Sequence, residues 1–260
     1  MRILIQHIEI WQWALLALGA FLVGLSKTGI AGIGILNVAI FALVLPSMTS
    51  VGVVLPILIS ADIVAVTAYR RHAVWKYLWP LFPWAIAGII AGWAAFKYIQ
   101  SHVPDVNAAN ASVARIIGAI LLGLLVLNWW REKNKSEGGV VPHSFWFTAG
   151  MGILAGFTTM IANAAGPIMI LYLLAMQLPK MEFIGTAAWY FLLLNCFKVP
   201  FSANLDLINA ESFRVALSMM PFAISGALFG RVIIKYINQE WFEKTALVFT
   251  FVAALRLLFS

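Results

Sequence analysis

The chain has 260 residues, of which 63% are hydrophobic and only 10% charged, and it carries a net charge of +7. An ordinary soluble domain has roughly 45–50% apolar and about 25% charged residues, and a water-soluble fold of this size cannot hide so much apolar surface. The Lys and Arg residues sit at helix ends and form no basic face, which argues against nucleic-acid binding, and the single cysteine excludes an intramolecular disulfide or a Cys-based metal site.

Taken in chain order, the apolar runs predict an all-α, polytopic membrane bundle of about ten helices. The first five span roughly 10–26, 30–46, 48–70, 75–99 and 112–130. The first of them follows Arg2 and contains Ala17-Leu18-Gly19, a weak likeness to a signal-peptidase site. That stretch runs on into a glycine-rich motif with a counterpart later in the chain, so it is expected to stay as a helix. Thr28 to Ala61 contains no Asp, Glu, Lys or Arg. Ser101 to Ser112 reads as a polar surface loop, and Arg131 to Gly139 (REKNKSEGG) as a flexible polar linker. The last five helices span roughly 144–158, 163–178, 182–200, 210–237 and 242–259, and Ser144 to Pro179 is again free of charge. Cys196, within an apolar run, is expected to pack. Trp11, Trp13, Trp75, Trp79, Trp129, Trp130, Trp146 and Trp241 lie near helix ends, the position of an interfacial aromatic belt.

The chain is internally doubled. Residues 83–99 (PWAIAGIIAGWAAFKYI) and 221–237 (PFAISGALFGRVIIKYI) share eight of 17 positions, including both glycines of a G-x-x-x-G. Gly24-Leu-Ser-Lys-Thr-Gly-Ile-Ala-Gly-Ile-Gly (24–34) aligns with Gly156-Phe-Thr-Thr-Met-Ile-Ala-Asn-Ala-Ala-Gly (156–166). The division is therefore 1–130 for a first five-helix repeat, 131–143 for a cytoplasmic linker and 144–260 for a second repeat. The basic segments Arg70-Arg71-His72…Lys76 and Arg131…Lys135 lie two helices apart, so both can face the cytoplasm, with both termini outside. An odd number of helices per repeat then makes the two repeats inverted. Glycine and hydroxyl residues interrupt both repeats at equivalent places, which predicts a broken or hairpin helix at the start of each, with Pro167 in the first turn of a restarting helix.

GLSKTGIAGIG in the first half and AGFTTMIANAAGPI in the second resemble the TauE/SafE (sulfite exporter) family, and the resemblance extends over nearly the whole chain. It implies a multi-helix protein of the bacterial inner membrane that carries small anions, often sulfur-containing ones such as sulfite or sulfonates.

Residues with the chemistry for such a site gather in the two motifs. Lys27 lies in an otherwise uncharged run, where a lysine is costly unless it meets an anion, water or a carboxylate. Ser26, Thr28, Thr158 and Thr159 can donate hydroxyl hydrogen bonds to oxyanions. Asn163 adds an amide, and the backbone around Gly29, Gly32 and Gly166 offers free N–H groups at helix starts. Asp62, whose repeat partner is Asn195, is a candidate proton carrier, or else a structural partner for Lys27. Lys198, just before Pro200, is expected to reach the interface, and Arg231 to do likewise or to contact the anion. The G-x-x-x-G pairs Gly88/Gly92 and Gly226/Gly230 suit contacts within the bundle and leave room for a homodimer face. The histidines lack metal-ligand spacing, no catalytic motif is present, and no cofactor or metal is expected. The function expected is a secondary transporter of small anions, proton-coupled through Asp62, and not an enzyme. An anion channel and a membrane assembly or scaffold protein are the competing classes.

Overall fold

The structure, a computed structural model, describes residues 9–29, 47–102 and 144–236 continuously and isolated positions between 37 and 45, 122 and 129, and 238 and 255. The described residues are all-helical. Among the described residues there are eight α-helices: α1 (Ile10–Thr28), α2 (Ser47–Tyr69), α3 (Trp75–Leu78), α4 (Phe82–His102), α5 (Phe145–Ala162), α6 (Gly166–Ala175), α7 (Lys180–Asn204) and α8 (Ala210–Ile233). Short 3-10 turns cover Arg70–His72 and Ile234–Tyr236. Five helices among the described residues are long and apolar enough to cross a membrane. Most of the helices expected at 30–46, 112–130 and 242–259, the linker at 131–143, the loop at 103–112, Trp130 and both chain ends lie outside the described residues.

Several boundaries differ from expectation for local reasons. The single helix expected at 75–99 is divided into α3 and α4, because Pro80 has no N–H and its ring clashes with the preceding turn; the helix resumes at Phe82 with Pro83 in its first turn. By contrast α7 runs through Pro200 to Asn204, as membrane helices often do where neighbours satisfy the freed backbone groups. Helix α5 continues past Thr158 to Ala162, with the Thr158 hydroxyl donating to Ala155 O at 3.3 Å in its own helix. It stops at Asn163, whose backbone is left-handed (φ 53°, ψ 29°), a conformation that asparagine tolerates better than most residues. Helix α6 then restarts at Gly166-Pro167. With ten residues, α6 is about 15 Å long, half of a hydrocarbon core of about 30 Å. The expected break is therefore present in the second half. In the first half α1 ends at Thr28, with Gly29 as its cap, and residues 30–36, where a restart is expected, lie outside the described residues.

The helices interlock through their glycines. A Cβ on Gly24 of α1 would lie 1.8 Å from Ala223 O of α8, and one on Gly156 of α5 would lie 2.0 Å from Ala85 O of α4. Gly24 aligns with Gly156, and Ala223 with Ala85, so the opening helix of each half crosses the G-x-x-x-G helix of the other at equivalent residues. Gly88 and Gly92 face α5, and Gly226 and Gly230 face α1. These glycines are thus consumed inside the bundle. One buried cluster is built mainly from α4 to α7, and a second from α1, α2 and α8. Helix α2 packs on both α8 and α7 and joins the two. Outward-facing Phe213, Leu217, Leu228 and Phe229 of α8 are exposed, as a bilayer-facing surface requires. Cys196 is also exposed, on α7, and does not pack as expected.

Candidate functional site

The break between α5 and α6 opens a cavity of about 90 Å3 of space for water centres. One water needs roughly 10–15 Å3 on that measure, so the space suits several waters or one small polyatomic ion. Its polar lining is Ser26, Lys27, Asn37, Thr159, Asn163 and Asn195, and Phe183, Ile184, Phe191 and Met169 contribute apolar wall. Ala165, Gly166 and Pro167, the start of α6, also face it. The positive end of that helix is directed at the cavity. A Cβ on Gly166 would meet no heavy atom within 4 Å, so the backbone there is open.

Lys27, on the last turn of α1, forms an ion pair with Asp62 of α2 at 2.8 Å; its side chain is 9% exposed and that of Asp62 fully buried. The Lys27 ammonium also stands 3.9 Å from the centroid of the Phe191 ring, a cation–π contact that holds a desolvated cation over the ring face. Asn195 Nδ2 donates to the other carboxylate oxygen of Asp62 at 2.7 Å. The residues aligned by the repeat, Asp62 and Asn195, thus meet directly.

Lys198 is fully buried, against the expectation that it reaches the interface. Its Nζ donates to Thr159 O (2.9 Å), Thr159 Oγ1 (3.2 Å) and Asn163 Oδ1 (2.6 Å). An ammonium has three protons, and here three oxygens receive them. Sequence reading missed Lys198 because Pro200 suggested a helix end. The signal was its spacing: Phe191, Asn195 and Lys198 lie at i, i+4 and i+7, one face of a helix. The two halves solve the same problem in opposite ways. In the first, the cation sits on the opening helix and its acceptor on α2. In the second, the cation sits on α7 and its acceptors on the opening helix.

Not every candidate converges. Ser26 lines the cavity, but its hydroxyl donates to Val23 O at 2.7 Å. Thr28 Oγ1 donates to Ala227 O at 2.5 Å and ties α1 to α8 away from the cavity. Gly29 packs against Gly230, and Thr158 is buried within α5. Gly32 lies outside the described residues. Arg231 is exposed and is not part of the lining. Among the described residues no group of three or more His, Cys, Asp or Glu side chains is placed to hold a metal ion.

What the arrangement can do chemically follows from its charges. Lys27 lines the space, paired with Asp62, and Lys198 stands behind the wall made by Thr159 and Asn163, beside a helix N-terminus and several N–H and O–H donors. Such a site accepts negative charge. The family model described as Sulfite exporter TauE/SafE matches residues 16–257 of the chain. A comparison with curated proteins gives no match, and neither does a comparison with solved structures.

Proposed function

The chain belongs to the sulfite exporter TauE/SafE family, a family of membrane transporters, and on that premise we propose that it is a secondary transporter of small oxyanions that binds its substrate in the cavity at the α5–α6 break. The observation that carries this reading is the excess of positive charge there: among the described residues, Lys27 in the cavity wall and Lys198 directly behind it stand against Asp62 alone. A buried cation set that outnumbers its carboxylates is costly unless an anion completes it.

The transport cycle proposed rests on two five-helix repeats, 1–130 and 144–260, in inverted orientation, joined by a cytoplasmic 131–143 linker, with both termini outside a bacterial inner membrane. The equivalent glycine crossings, Gly24 on Ala223 and Gly156 on Ala85, support a pseudo-symmetric pair that rocks about the cavity. Asp62 acts as an internal counterpart of the substrate, since its carboxylate holds the Lys27 ammonium at 2.8 Å. A proton on Asp62 releases Lys27, and the incoming oxyanion takes the vacated partner. Proton and anion therefore load together. The groups facing Asp62 are Lys27 from α1 and Asn195 from α7, with Lys198 one turn further along α7.

Reconstituted into liposomes, the protein is expected to take up radiolabelled sulfite with saturation and counterflow, faster when the sulfite side is the more acidic. Asp62→Asn is expected to retain counterflow and to lose the response to the pH gradient. Flux that rises in proportion to concentration without counterflow marks a channel instead, and no flux of sulfite, thiosulfate, sulfoacetate or taurine marks an assembly or scaffold protein. A smaller change probes the space itself. Gly166→Ala is expected to leave thermal stability within about 0.5 kcal/mol of the parent, as for a substitution that meets no neighbour, and to raise the KM for sulfite because the new methyl occupies cavity volume. An unchanged KM would place the substrate elsewhere.

A further inference from the structure

We infer that Lys198 makes the cavity selective for oxyanions from behind its wall, by holding a cation against the acceptor oxygens of Thr159 and Asn163 and so turning both side chains toward donating to the substrate. The inference rests on the anion-transport reading above and names a positioning residue for it. Threonine hydroxyls and asparagine amides are ambivalent, each able to donate and to accept. A wall made of them would serve a cation, a neutral solute or an anion alike. The Lys198 ammonium tips that balance, because it occupies one lone pair on each oxygen and its charge disfavours a further cation or donor at the other. Thr159 Oγ1 accepts from it, and so does Asn163 Oδ1. The amide orientation is set by its second contact, because Asn163 Nδ2 donates to Val51 O at 3.2 Å. Reversing the amide would put N–H against ammonium and oxygen against oxygen, so the network admits one orientation.

What these two side chains chiefly offer the cavity is donors. Asn163 spends one of its two N–H groups on Val51 and keeps the other. Thr159 is 3% exposed and lines the cavity, and its hydroxyl proton meets no acceptor among the described residues. A buried hydroxyl proton without an acceptor is costly, and a ligand oxygen satisfies it. Lys198 does not itself line the cavity, so it acts through these two side chains. The ligand class that fits is a small anion with several acceptor oxygens, able to take Thr159 O–H and Asn163 N–H on one side and the Lys27 ammonium on the other.

The test uses the full-length protein in nanodiscs with sulfite as the probe, read by the shift in melting temperature across a sulfite titration and by radiolabelled uptake. Lys198→Met is expected to weaken sulfite affinity about tenfold or more, the scale of losing a charge-assisted hydrogen bond. Thr159→Val is expected to weaken it as well, and Thr159→Ser to retain it. The double variant Lys198→Met/Thr159→Val is expected to be no weaker than the weaker single, because without Lys198 the hydroxyl is no longer held as a donor. Unchanged affinity in Lys198→Met overturns the inference, and so does full additivity in the double variant, which would make Lys198 a distant charge only. Should Lys198→Met fail to fold, Asn163→Gly reads the same network, since glycine keeps the left-handed backbone while removing the amide; affinity equal to the parent would again overturn it. A parent protein that responds to no oxyanion brings down the transport reading together with this one, whereas a responding parent with an unaffected Lys198→Met brings down this one alone.

Discussion

Lys27→Ala is expected to abolish sulfite uptake and also to destabilise the protein. Both effects come from the 2.8 Å pair with Asp62. Truncating Lys27 leaves a fully buried carboxylate with, among the described residues, the Asn195 amide as its one hydrogen-bond partner. Removing one member of a buried ion pair costs about 3–5 kcal/mol, enough to lower expression and melting temperature. Loss of uptake in the single variant would therefore be ambiguous by itself. The double variant Lys27→Met/Asp62→Leu separates the causes. Replacing a buried ion pair by apolar groups of similar volume is often neutral or stabilising, and the Asn195 side chain, which borders the cavity, can turn to water there. Melting temperature is expected to recover in the double variant while uptake stays absent. Uptake at the parental rate in that variant would remove Lys27 from substrate binding.

Gly156→Ala is expected to destabilise the fold strongly. The added Cβ would lie 2.0 Å from Ala85 O and 2.8 Å from Ala85 C, both backbone atoms of α4. Backbone cannot rotate away as a long side chain can, so α4 and α5 must separate. Overpacking of this kind costs about 1–3 kcal/mol and at times more, and here the close crossing is what packs the two membrane helices together. Gly24→Ala, with Ala223 O at 1.8 Å, is expected to do the same at the equivalent α1–α8 crossing. Ala at Gly150 offers the control, because a Cβ there meets nothing within 4 Å. Thermal unfolding in detergent should order the three variants with Gly150→Ala near the parent. Comparable stability for Gly150→Ala and Gly156→Ala would mean that the crossing is not close-packed.

Much of this protein was legible in its residues taken in order. The uncharged runs Thr28 to Ala61 and Ser144 to Pro179 specify membrane helices because the bilayer offers backbone groups no partner. The Asn163 to Pro167 segment specifies a break, since asparagine accepts a left-handed backbone and proline suits a helix start but not its middle. The alignment of Gly24 with Gly156, and of Gly88 and Gly92 with Gly226 and Gly230, is likewise read from the order of residues. These signals are local, or are repeats of local patterns, so the order of residues carries them in full.

Pairing is another matter, and the tertiary structure decided it. Lys27 could have met water, an anion or a carboxylate; the packing of α1 on α2 gave it Asp62. Lys198 read as an interfacial cation beside a proline, and its true surroundings are set by Thr159 and Asn163, 39 and 35 residues away. Thr28 and Thr159 look equally suited to a substrate in their aligned motifs. One is spent on Ala227 O, 199 residues distant, and the other faces the cavity. The physical reason is that a side chain's partner in a membrane bundle depends on which helices cross and at what rotation. That is a global outcome of close backbone packing at glycines such as Gly24 and Gly156, and no stretch of one helix contains it.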